Sequence, residues 1–286
     1  MKTKQVPAKD MLWRANESIG ANVIDANGEE LGRVEDIVLD RRESRIAYLI
    51  VSYGGLLGFW DKHFAVPWQA FGQTADGKLS LGINPEQLKS APGFEKGTLP
   101  DTADPLFHEG VHSFYNTEPY SLEEQKEAHA EAHATQQEQA DERAFDWGSW
   151  ANRDGTTWAR RLGDLIGKNI ENEQDQTIAK LKDVIVDSRE ARAAYAVVSY
   201  GGTLGFSADT AIIPWNALRL DLAREVYVTD ATPAQLERAK LNDTEYQKLE
   251  NRKYSKALYR AFDTQPFWEE FGYETEKNGE TVELEK

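Results

Sequence analysis

Val51-Ser-Tyr-Gly-Gly-Leu-Leu-Gly-Phe59 returns later in the chain as Val198-Ser-Tyr-Gly-Gly-Thr-Leu-Gly-Phe206. The likeness continues outward on both sides. Ile19–Phe71 aligns without a gap on Ile166–Leu218, every pair 147 positions apart, with about 20 of roughly 53 positions identical. A Pro-Trp pair closes each copy, Pro67-Trp68 and Pro214-Trp215. Self-similarity at one fixed spacing marks a duplicated structural unit.

Within each copy the local signals are those of short antiparallel strands. Ile37-Val-Leu39 and Val184-Ile-Val186 are rich in β-branched residues, and each run ends at an aspartate, Asp40 or Asp187. A polar connection follows, Arg41–Arg45 or Ser188–Arg192. The chain then re-enters an apolar run, Ile46–Tyr53 or Ala193–Tyr200. Strand, polar turn, strand is a hairpin signature. After Tyr53 come Gly54, Gly55 and Gly58; after Tyr200 come Gly201, Gly202 and Gly205. These glycines supply the backbone freedom, positive φ included, that a turn or bulge needs. Phe64-Ala-Val66 and Ala211-Ile-Ile213 read as the next strand, stopped by a proline that cannot donate to a ladder. Leu79–Leu81 and Glu225–Val228 read as closing strands. The expectation is a mainly β protein with α segments, two small antiparallel barrels rather than an α/β fold.

The series of Ile-Gly, an I/V-V-x-D strand, Tyr, Gly-Gly-x-Leu-Gly-Phe and I/V-Pro-Trp resembles the PRC-barrel family. Members include the cytoplasmic part of the photosynthetic reaction-centre H subunit and the C-terminal part of the ribosome maturation factor RimM. The resemblance covers roughly Arg14–Leu81 and Trp158–Val228. It implies an antiparallel barrel that docks to protein partners, and it carries no shared catalytic residues. Neither a transmembrane anchor of the H-subunit kind nor a domain like the N-terminal part of RimM is recognisable.

Each barrel carries a matching tail. Asn84-Pro85 and Thr232-Pro233 place a capping residue before a proline at the first helical position, a helix start. Further on, Pro105–Glu109 with Tyr115 parallels Pro266–Glu270 with Tyr273. Phe107, Phe114, Phe267 and Trp268 therefore either clamp an arm onto a barrel, the simpler reading, or dock on the other copy or a partner. Between the units, Ser121–Arg143 is polar, has strong helix propensity and opens on a capping-box match, Ser121-Leu-Glu-Glu124. The expected organisation is barrel repeat 1 over 1–97, an aromatic arm and polar helical linker over 98–145, repeat 2 over 146–230, and a helical, aromatic C-terminal arm over 231–286 that ends in a polar, fraying tail, Lys277–Lys286.

Composition narrows the function. There are 49 acidic against 33 basic residues, a net charge of −16, and no compensating Lys/Arg cluster, so nucleic acid is not an expected partner. A basic protein surface is compatible with this charge. The absence of cysteine removes disulfides and thiolate chemistry. The first residues lack the apolar core of a signal peptide, and the longest apolar run, Ile46–Val51, falls far short of the roughly 20 residues of a spanning helix. A cytoplasmic protein is expected.

No P-loop, Gly-x-Ser-x-Gly or nucleophile–base pair is present, and Gly54, Gly55 and Gly58 lie between strands rather than before a helix. Asp36 with Asp40 could serve as acid/base partners, but solvent-facing strand positions or turn caps are the simpler reading. His129 with His133, and His108 with His112, have the i, i+4 spacing of metal ligands. No third ligand is identifiable, so a solvated helix face is expected, with no metal and no cofactor. The reading is a non-enzymatic adaptor built from two PRC-type barrels, packed on each other or paired as a homodimer. The alternative is an H-subunit-like accessory of a membrane electron-transfer complex in photosynthesis.

Overall fold

In the computed structural model the described residues are 12–41, 43–53, 62–74, 78–95, 98, 100, 105–119, 159–189, 191–201, 208–221, 224–242, 245–270, 273–275 and 281–283. The Gly54–Phe59 and Gly202–Phe206 stretches and the 121–143 linker with His129 and His133 lie outside them.

Repeat 1 runs β1 (Leu12–Arg14), α1 (Ala15–Ser18), β2 (Asn22–Ile24), β3 (Glu30–Asp40), β4 (Arg45–Tyr53), β5 (Lys62–Pro67), β6 (Phe71–Gln73), β7 (Leu79–Leu81), α2 (Pro85–Ser90), β8 (Gly93–Glu95) and α3 (Pro105–Tyr115). Repeat 2 runs β9 (Ala159–Arg161), α4 (Leu162–Leu165), β10 (Asn169–Glu171), β11 (Thr177–Asp187), β12 (Arg192–Tyr200), β13 (Asp209–Pro214), β14 (Arg219–Asp221), β15 (Val226–Val228), α5 (Pro233–Arg238), α6 (Arg252–Ala261) and α7 (Phe267–Glu270). The tail does not simply fray: β16 (Tyr273–Thr275) pairs antiparallel with β17 (Thr281–Glu283).

The local chemistry behaves as the sequence implies. Asp25 and Asn172, 147 positions apart, each accept backbone N–H groups two and four residues on. These Asx turns close the tight β2–β3 and β10–β11 connections. Asn84 and Thr232 each form a reciprocal capping box with the glutamine three residues later. Gly201 stands at φ +66°. β4 and β12 are buried along nearly their whole length, because helices cover the face that the rest of the sheet does not. That two-sided burial is why both read as unbroken apolar runs.

The expectation of two separate antiparallel barrels needs two corrections. Each repeat contains one parallel pair, β2 with β7 and β10 with β15. More importantly, the strands do not close into two barrels: among the described residues they form one 15-stranded sheet running through both repeats. The link is an exchange. β1 of repeat 1 pairs with β11 of repeat 2, and β9 of repeat 2 pairs with β3 of repeat 1. Leu12 lies opposite Asp187 as Ala159 lies opposite Asp40, so the two seams are equivalent under the repeat. β4 and β12 meet where Arg45 faces Arg192, again equivalent residues. Ser44 O accepts from Ala193 N at 2.6 Å, and Ala191 O accepts from Ile46 N at 2.8 Å. One hydrophobic cluster, from Leu12 and Trp13 to Tyr259 and Trp268, spans both repeats. A second, around Tyr48, Ile50, Ala65 and Val111, fills the outer face of repeat 1 beneath α3 and takes in Ala159 of β9.

Candidate interaction site

The exchange seam is locked by two equivalent ion pairs. Both long strands carry a register shift at the same place, between Val34 and Asp36 in β3 and between Leu181 and Asp183 in β11. A bulge re-aims the side chain beside it. Here it turns Asp183 to Arg14 (Nε to Oδ2, 2.8 Å) and Asp36 to Arg161 (3.2 Å). The other carboxylate oxygen accepts backbone N–H groups: Asn16 and Val184 donate to Asp183 Oδ1, and Ile37 and Gly163 donate to Asp36 Oδ1. Burial pushes both carboxyls above the usual carboxylate range, against the pull of these donors. Asp40 and Asp187 are buried as well. Their Oδ1 atoms cap the hairpin turns, accepting from Glu43 N and Arg189 N. Of the two simpler readings, Asp40 is the turn cap, though a buried one, while a solvent-facing Asp36 is corrected: it joins the repeats.

The aromatic arms dock in cis. α3 lies over Tyr48, with Phe107 edge-on at 6.1 Å and His108 Nδ1 2.6 Å from the phenol oxygen. α6 and α7 lie over Tyr195, the residue equivalent to Tyr48. Phe267 meets it edge-on, also at 6.1 Å, and Tyr259 donates to the Ala194 carbonyl. Phe267 and Trp268 are buried, Trp268 beneath the Arg252 guanidinium at 4.0 Å; Phe107 and Phe114 are half-buried. Nor do His108 and His112 form a solvated face. Both are buried with rings 4.4 Å apart, and His112 Nδ1 is 2.8 Å from Thr117 Oγ1. Burial, then His108, then Arg45 hold the His112 pKa down to about 4, leaving a neutral imidazole at neutral pH. Among the described residues no group of three or more His, Cys, Asp or Glu is placed to hold a metal ion.

The two repeats differ most usefully beside their Pro-Trp pairs. Trp215 is buried, with Tyr227 edge-on at 5.3 Å. Behind it Glu225 pairs with Arg160 and lies 3.9 Å from the buried Arg41. In repeat 1 the equivalents of Arg160 and Arg41 are Trp13 and Ser188. By strand register the equivalent of Tyr227 is Leu79, which pairs with Val23 as Tyr227 pairs with Ile170. Trp13 stacks on Trp68 at 5.4 Å, and Trp68 Nε1 donates to Ser188 O across the seam at 2.9 Å. With leucine and serine where tyrosine and arginine stand, a cleft of about 350 Å³ remains. It is lined by Trp68, Phe71 and Leu79 from repeat 1 and by Ser188 and Arg189 from repeat 2, mostly apolar with a charged rim.

Of the motif residues, Tyr53, Pro67, Tyr200 and Pro214 serve as strand residues and Trp68 and Trp215 as the two ring platforms. Sequence reasoning passed over Trp13, Arg14, Arg161 and Asp183. The signal was present: Arg14 and Arg161 are the same residue at the same spacing, just ahead of the aligned block.

The molecule is a two-repeat β module whose halves complete each other's sheet, with an aromatic-lined cleft beside Trp68. A family model for the PRC-barrel domain matches residues 13–81 and 159–236, together just over half of the chain. The chain belongs to the PRC-barrel domain family. Among curated proteins, none matches it.

Proposed function

We propose that this PRC-barrel protein is a non-enzymatic, cytoplasmic adaptor, with the Trp68–Leu79 cleft as its contact point for a protein partner. The single observation supporting this is the aromatic-lined cleft of about 350 Å³ beside Trp68, at the strand position where the second repeat carries Tyr227 against Trp215. Ligand sites are commonly concave and apolar with a few polar groups at the rim. Among the described residues no helix is long and apolar enough to cross a membrane. The net charge of −16 favours a partner with a basic surface.

The test is affinity capture from the native cell with the parent and Leu79→Tyr, followed by mass spectrometry. Partners lost from Leu79→Tyr, yet retained by the surface variant Gln174→Ser, support the cleft. Identical capture by both variants overturns it. Raising salt shortens the Debye length from about 10 Å at 0.1 M to about 3 Å at 1 M, so a charge-steered partner is released as salt rises.

A further inference from the structure

The surface each repeat turns to the other is isologous. β1 reads the end of β11 as β9 reads the end of β3, Arg14 grips Asp183 as Arg161 grips Asp36, and Arg45 meets Arg192. This is the contact pattern of a two-fold dimer of identical subunits, where residue i touches j and j touches i. Here both subunits lie on one chain. All of these contacts come from residues 12–53 and 159–200, so none uses the connection between Tyr115 and Ala159. Leu12, Trp13 and Ala159 are buried on the two strands that pair with the opposite repeat.

We infer that the seam is a self-recognition surface that does not depend on the covalent link. Repeat 1 binds repeat 2 after the connection is cut, and it accepts the repeat 2 of a second copy of this chain in the same geometry. Exchange of identical elements between copies is a low-cost route to association when the closed contacts already exist. Neither repeat is a free-standing barrel, since each lacks the edge strand that the other supplies. The specificity lies in the strand register and in the two ion pairs, which a slip of one residue would break.

The experiment uses the full chain with a specific protease site inserted between Gln137 and Glu138. After native cleavage the two fragments are expected to co-elute at the mass of the intact protein with an unchanged far-ultraviolet spectrum. Fragments that separate at micromolar concentration, folded or unfolded, overturn the inference. Affinity-tagged cleaved protein is then mixed with an excess of cleaved, untagged, isotope-labelled protein. The tagged repeat 1 is expected to exchange its repeat 2 for the labelled one; tagged complexes that never acquire label overturn recognition in trans. Asp183→Asn is expected to speed that exchange about tenfold, a weakening of about 1.4 kcal/mol. Asp175→Asn, on the exposed β10–β11 turn, should leave it unchanged, and equal acceleration by both would remove the seam from the explanation.

Discussion

Arg14 Nε donates to Asp183 Oδ2 at 2.8 Å, joining residues of different repeats, and the equivalent residues Arg161 and Asp36 form an ion pair at 3.2 Å. Burial raises both carboxyl pKa values, so these pairs are held together at a desolvation cost. Such a pair adds little net stability while intact, but removing one member strands a buried charge. Asp183→Ala is expected to lower stability by about 3 kcal/mol. Asp36→Ala should cost less, because the Asp36 and Arg161 side chains are 15% and 30% exposed against 0% and 15% for Asp183 and Arg14. Urea unfolding with an unchanged m-value checks this; an Asp183→Ala midpoint equal to the parent's refutes it.

The His112 imidazole gives the second expectation. Its folded pKa, about 4, lies below the ordinary value of 6.5. Between these values the unfolded chain binds more protons than the folded one, so stability is full above about pH 6.5 and declines as pH falls towards about 4. The slope for one group reaches at most about 1.4 kcal/mol per pH unit. Asp36 and Asp183, with raised pKa values, act in the opposite sense over the acidic end of this range. The informative quantity is therefore the difference between parent and His112→Gln. That difference should narrow steadily from pH 7 to pH 4; a constant offset would show that His112 does not titrate as argued.

The hairpins and the helix starts were legible in the sequence because each rests on residues within a few positions of one another, and the two-fold repetition because a long stretch recurs at one fixed offset. The exchange was not. A three-residue strand such as Leu12–Arg14 has no periodicity to read, and its partner, Val186 opposite Trp13, lies in the other repeat. Alternation tells which face is buried but not which strand lies alongside. Asp36 looked exposed for a related reason, since only a bulge decides which way it points. His108 and His112 read as a polar helix face until Tyr48 was found above them. At the cleft, Trp68 was visible as a motif residue. Its difference from Trp215 depends on Leu79, which aligns with Tyr227 only after a one-residue insertion in the second copy.

Gly201 tests the glycine reading at a position where the structure allows it. Its φ is +66°, and a Cβ added there meets no atom within 4 Å. Any penalty is thus conformational rather than steric crowding by neighbours. Gly201→Val should lose about 1–2 kcal/mol, the cost of the left-handed region for a β-branched side chain. Gly201→Asn should lose less, because asparagine visits that region readily. Thermal unfolding separates the two; equal losses would mean that something other than φ sets the requirement.

Leu79→Tyr is the substitution that the repeat itself recommends. Leu79 is buried, and enlarging a buried leucine ordinarily overpacks the core by about 1–3 kcal/mol. Here the equivalent position already holds a tyrosine, Tyr227, whose ring sits edge-on to Trp215 at 5.3 Å. The cleft of about 350 Å³ beside Trp68 offers room for that ring in repeat 1. Leu79→Tyr is therefore expected to keep the parent's stability to within about 1 kcal/mol. Leu81→Tyr, on the same strand and equally buried but outside the cleft lining, should show the full overpacking loss. Chemical denaturation of both variants decides the matter. If Leu79→Tyr falls as far as Leu81→Tyr, the space beside Trp68 does not accommodate an aromatic ring, and the cleft loses its claim to be the vacant counterpart of the Tyr227 site.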